Sequence, residues 1–177
     1  MYGWELVNSV SAQGGESTIT ITGINTNDVY ALVMYDIWMT ADARPRYRFT
    51  SSGSQDSGSN YKYSSEDAYS DGALSVSKYN STGSGASYYN GFTHGTHTGD
   101  SLNGIFYLYD FNYSDRFSSL IQKECVSNSS SLFAVRTGGI SNTNATAHDG
   151  LYFFTSTSTY KHGTWDLYRI TWVITDT

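Results

Sequence analysis

With 177 residues, 38% of them hydrophobic and a further 17 glycine, the chain is long enough to bury a core and short for two domains, which take about 100–200 residues each. Only 15% of its residues are charged, against about 25% in an average soluble chain, and Ser, Thr, Asn, Gly and 16 Tyr fill the deficit, a composition of pleated surfaces and turns rather than of helices. Ten Lys+Arg against 16 Asp+Glu give a net charge of -6, the wrong sign for displacing counterions from phosphates, so nucleic-acid binding is disfavoured.

The chain opens on MYGWELVNSVSAQGG, which has neither a basic segment nor a long apolar run, so no secretory leader is expected. In Ser17–Ile24, Ile19 and Ile21 alternate with Thr18, Thr20 and Thr22; this predicts a half-buried strand ending in a turn at Gly23–Asp28. Val29–Met39 is apolar in both registers, with Val29, Ala31, Val33, Tyr35 and Ile37 on one face and Tyr30, Leu32, Met34 and Trp38 on the other. A central strand covered from both sides is expected, and the run, interrupted by Asp36, is too short to span a membrane. In Arg46–Thr50, Tyr47 and Phe49 point inward and Arg46 and Arg48 outward. The only proline, Pro45, stands just before this strand, where a missing N–H costs little.

Ser51–Ser59 reads as a loop. Further strands are expected at Tyr61–Tyr63, Ala73–Tyr79, Ile105–Phe111, Leu132–Thr137, Leu151–Thr155 and Thr164–Ile174. Asp115–Val126 fits a helical stripe through Phe117, Leu120, Ile121 and Cys125, and equally a strand through Phe117, Ser119 and Ile121; its β surroundings favour the strand. About eight to ten strands follow, in a single domain spanning 1–177: an all-β, two-sheet antiparallel sandwich of jelly-roll type. Cys125, the only cysteine, has no partner for an internal disulfide and reads as a small buried hydrophobe.

Three groups of residues invite chemistry. His94, His97 and Asp100, at three-residue spacing, are a plausible metal set on a helix, but Gly95 and Gly99 argue against a helix, His148 and His162 lie far along the chain, and a polar loop with solvated histidines is the better reading. Glu66, Asp67 and Asp71 could gather around calcium or supply a glycosidase's carboxylate pair; without the ligand alternation of a calcium loop they read as a solvated turn. There is no G-x-S-x-G elbow, no HExxH, no phosphate-cradling loop and no thiol-enzyme signature around Cys125. Sequons at Asn80, Asn112, Asn128 and Asn144 follow from the composition. No catalytic residue, cofactor site or metal site is therefore assigned. The 28 aromatics exceed what the core needs, and Tyr88, Tyr89 and Tyr160 are candidates for contact with a partner protein or a sugar ring.

The opening GWELVNSVSA, then STITITGI, DVYALVMYDI and RPRYRFTSSGS, and the closing TGGISNTNATAHDGLYFFTSTSTYKHGTWDLYRI with its G-T-x-x-L-Y segment at Gly163–Tyr168, resemble small virion structural proteins of marine tailed bacteriophages, especially those of cyanobacteria. The resemblance covers most of the chain. Arg169 stands where that family often has glycine, and the chain continues through ITWVITDT. The resemblance implies a jelly-roll-like sandwich on the virion surface, assembled in the host cytoplasm and without enzymatic activity. It implies a capsid decoration protein or, alternatively, a tail-fibre or tail-tip receptor-binding protein. The implied partners are other phage structural proteins (major capsid or tail subunits), further copies of the chain in a homo-oligomer, a trimer by family analogy, and a host surface glycan in the tail reading. Neither nucleic acid nor membrane insertion is implied.

Overall fold

The structure, a computed structural model, describes residues 2–41, 43, 45–70, 74–79, 87–88, 101–127, 133–155 and 157–172; residues 2, 74–79, 87–88 and 172 are described by their backbone alone. Every regular element among the described residues is a strand: β1 (Tyr2–Ala12), β2 (Thr18–Thr22), β3 (Val29–Met39), β4 (Arg46–Ser51), β5 (Ser54–Gln55), β6 (Tyr61–Tyr69), β7 (Leu74–Tyr79), β8 (Ser87–Tyr88), β9 (Ser101–Tyr109), β10 (Ser119–Ser127), β11 (Phe133–Asn142), β12 (Gly150–Phe154) and β13 (Tyr160–Trp172). Asp115–Val126 resolves into a connection followed by β10.

The strands form two antiparallel sheets. One has eight strands in the order β1-β13-β3-β9-β10-β11-β6-β7; the other runs β2-β12-β4-β5, with β8 also paired to β4. The quartets β1-β13-β3-β9 and β2-β12-β4-β8 take chain-ordered turns between the sheets, which is jelly-roll topology. Two hairpins inserted into that frame, β6-β7 and β10-β11, continue the first sheet sideways by four strands.

Apolar residues at period two meet between the layers. From the short sheet come the cross-strand rows Ile21–Leu151–Phe49 and Ile19–Phe153–Tyr47, and from the long sheet Leu32, Met34, Phe106, Leu108, Trp165 and Leu167, all buried. Their rings contact each other across the gap, with centroids 5.1 Å apart for Tyr47 and Phe106 and 6.0 Å for Phe153 and Trp165. Each such side chain contributes about 1.5–3 kcal/mol by leaving water. Arg46 and Arg48 stay partly exposed on the far face, Arg48 over the Phe154 ring.

The strand Val29–Met39 lies within the sheet as expected but departs from the expected faces. Its register slips against β9 between Met34 and Ile37, where Asp36 takes a left-handed φ of 55°. This bulge reverses the alternation, so Ile37 and Met39 join Tyr30, Leu32 and Met34 in the core. The other face is not covered from both sides: Val33 is only partly buried and Tyr35 is exposed. A matching pair of irregularities in β13 flanks His162. There Gly163 has φ 140°, and a Cβ would meet Ile37 Cδ1 at 2.6 Å. Arg169, absent from the expected pattern, ties β13 to β1 through Glu5, with Nη2 donating to Oε2 at 2.6 Å.

Candidate functional site

The outer face of the eight-stranded sheet is not absorbed by the core. Strand register places Leu6, Tyr168, Ala31, Tyr107, Ile121 and Gly139 in one line across β1, β13, β3, β9, β10 and β11. The next line runs Ser9, Asp166, Val33, Ile105, Lys123 and Thr137. Beyond the ends of these lines lie Trp4 with Ile170, Tyr35 with Thr164, and Cys125 with Val135. Trp4, Leu6, Tyr35, Ile121 and Phe133 leave between 44% and 55% of their surface open. Aliphatic and aromatic side chains thus share one continuous face with few charges, the pattern of a contact surface rather than of a solvated one. Asp166 is fixed there by Ser9 Oγ, which donates at 2.6 Å, and by Tyr35 Oη at 3.2 Å. Next to Ile121, the pair Gly138 and Gly139 leaves a trough walled by Ser64, Glu66 and Thr137.

The inner face of the added hairpins is built differently. Across β9, β10, β11 and β6 the register lines up Gly104, Glu124, Arg136 and Asp67. Arg136 grips Asp67 with both arms, Nε to Oδ1 at 2.5 Å and Nη2 to Oδ2 at 2.9 Å, and both side chains are buried. Glu124 is buried beside them with neither carboxyl oxygen hydrogen-bonded. Gly104 makes the room, since a Cβ there would stand 2.9 Å from Glu124 Cγ. Gln122, on the same side, accepts from Tyr47 Oη.

Burial outweighs the Arg136 guanidinium and pushes the Glu124 carboxyl well above the usual carboxylate range, with Asp67 acting in the same direction as burial. Such a group keeps its proton in the folded chain after the unfolded chain has lost it at about pH 4.3. Its contribution to stability is complete below that pH and declines as pH rises towards the folded-state pKa. Glu124→Gln removes the decline. In urea unfolding, the variant's advantage over the parent should grow as pH rises above about 4.3; a pH-independent difference contradicts a buried, protonated carboxyl.

A serine, a histidine and an aspartate also meet. Ser118 Oγ lies 2.7 Å from His148 Nδ1, and His148 Nε2 lies 3.4 Å from Asp56 Oδ2. Ser118 and His148 are 0% and 1% exposed, so the hydroxyl is shut away from any substrate. Ser118 Oγ also lies 3.3 Å from the Asp110 carbonyl, and a neutral His148 that donates Nε2–H to Asp56 accepts from the Ser118 hydroxyl at Nδ1. Burial lowers the His148 pKa and favours this neutral imidazole. Asn142 completes the group by donating to Asp56 Oδ2 at 2.7 Å. The set clasps the connections around Asp56, Asp110 and His148; it reproduces the residue types of a hydrolase triad without an open nucleophile.

The residues singled out from sequence are dispersed. Tyr160 is 0% exposed, packed edge-on to Trp165 at 5.2 Å, and offers no surface to a partner or sugar. Tyr88 lies in β8, its backbone opposite Arg46. Tyr89, Asp71, His94, His97 and Asp100 lie outside the described residues. Glu66 and Asp67 belong to strand β6 rather than to a solvated turn, Glu66 on the outer face and Asp67 buried. Cys125 is only partly buried, on the outer face. No group of three or more metal-ligating side chains occurs among the described residues. The outer face itself escaped prediction, although Trp4 and Leu6 alternate with Gly3 and Glu5 in the opening GWEL. No family model, curated protein or solved structure matches the chain.

Proposed function

We propose that this protein is a structural component of a bacteriophage virion, displayed on the particle surface as a capsid decoration protein and held there by contacts with other phage subunits. The observation that carries this reading is the open outer face of the eight-stranded sheet, with Trp4, Leu6, Tyr35, Ile121 and Phe133 exposed on a fold otherwise closed around its core. Jelly rolls recur in capsid domains, where two packed sheets resist opening while loops and faces meet neighbours. An acidic net charge of -6 suits a shell exterior better than a surface that holds nucleic acid. A chain with one cysteine needs no oxidising compartment, in keeping with assembly in the host cytoplasm.

The reading is tested by quantitative mass spectrometry and cryo-electron microscopy of purified particles. The expected result is a copy number that follows capsid symmetry, with density for the sandwich on the shell. Absence of the chain from particles overturns the proposal, and a few copies at one vertex replace decoration with a tail station.

A further inference from the structure

We propose that the outer face of the eight-stranded sheet pairs with the same face of a second copy about a two-fold axis parallel to the strands, lying over the junction of β3 and β9. This rests on the reading of that face as a contact surface and names its partner; it does not depend on where on the particle the protein sits.

Six strands share the face, three on each side of that junction: β3, β13 and β1 on one, with a register shift in β1 between Leu6 and Asn8, and β9, β10 and β11 on the other. The axis therefore lays β3 of one copy over β9 of the other, β13 over β10 and β1 over β11. The residues brought opposite each other match. Asp166 of β13 faces Lys123 of β10, and symmetry repeats the ion pair, since both lie in the same cross-strand line at equal distance from the axis. In the neighbouring line Leu6 faces Gly139, beside the trough walled by Ser64 and Thr137.

Twist does not spoil the match. Aligned sheets cross at about 30°. Asp166 and Lys123 lie one and a half strand spacings, about 7 Å, from the axis, so the rotation displaces them by less than about 4 Å, within reach of a lysine stem. Area is sufficient as well. Six strands at about 4.8 Å and four outward residues per strand at about 6.8 Å give about 780 Å² per copy, close to the roughly 800 Å² per partner of a standard stable interface. A two-fold pair replaces the trimer implied by family resemblance.

The test is sedimentation equilibrium of the full chain over a wide concentration range. A dimer of twice the 19.6 kDa chain mass is expected. Lys123→Asp and Asp166→Lys should each weaken it at least tenfold, and the two together should restore most of the loss, because each exchanged residue then meets its opposite again. Lys123 is exposed, so its replacement leaves the fold intact, as circular dichroism can verify. A chain that stays monomeric, that forms trimers, or whose dimer ignores both substitutions overturns the proposal. A monomer still found on particles refutes the pairing alone, and a dimer absent from particles refutes the virion reading alone.

Discussion

Arg136→Met should destabilise the protein by about 3–5 kcal/mol, one of the largest effects of any single substitution in the chain. The guanidinium is 7% exposed and clamps Asp67, itself 2% exposed, through two hydrogen bonds, with Glu124 directly opposite on β10. Removing it leaves the buried Asp67 carboxylate without its cation, beside a Glu124 that is already protonated, or pulls water into the hairpins. The interaction is a buried one, so the cost is mainly that of orphaned partners rather than the net worth of the pair. Replacing Asp67, Glu124 and Arg136 together by apolar residues of similar volume should recover most of the stability. Equilibrium urea unfolding of the single and triple variants decides this; a triple variant as unstable as Arg136→Met shows that the row contributes more than its own compensation.

Gly150→Ala should be comparably severe, about 3 kcal/mol, for a different reason. Gly150 lies in β12, which is hydrogen-bonded on both sides within the short sheet, opposite Thr22 of β2 and Thr50 of β4. An added Cβ would stand 2.0 Å from the Ile21 carbonyl oxygen and 2.8 Å from Thr22 Cα. Both obstacles are backbone, which cannot turn aside as a side chain can. The methyl group must push β2 away from β12, opening the row Ile21–Leu151–Phe49 beneath it. Gly53→Ala provides the contrast: φ is +73° and nothing lies within 4 Å, so only the backbone preference of about 1–2 kcal/mol is lost. Thermal unfolding of the two variants should separate by several degrees; equal midpoints contradict the close approach of β2 and β12.

Much of the sandwich is legible in the sequence because period-two patterning survives wherever strands are regular. Ile19 with Ile21 and Tyr47 with Phe49 point inward as their alternation requires. The same reasoning fails wherever a bulge resets the count. Asp36 carries Ile37 to the face opposite the one its spacing from Val33 implies. The irregularities beside His162 bring Tyr160 and Trp165, five residues apart, to the same buried side, while Lys161 and His162 between them remain exposed. Tyr160 thus looked like a surface residue by its neighbours and is a core residue by its register. Asp67 was read as solvated because its counter-ion, Arg136, lies 69 residues away in sequence. The outer face was hidden by a different limit. Alternation tells two faces of a strand apart but does not tell which is covered, and Val29–Met39 is apolar on both. Only strand order reveals that one of these faces meets the short sheet and the other meets no second layer among the described residues.

The account stands on that uncovered face being buried against another protein molecule in the assembled state, and Cys125 supplies a built-in probe of it. It is the only thiol in the chain, partly exposed and aligned with the outward row of β10. Alkylation of Cys125 by a small maleimide should be at least tenfold slower in the assembled protein, concentrated or on particles, than in the dilute chain. Equal rates in the two states would mean that the face remains open to solvent and would contradict the account.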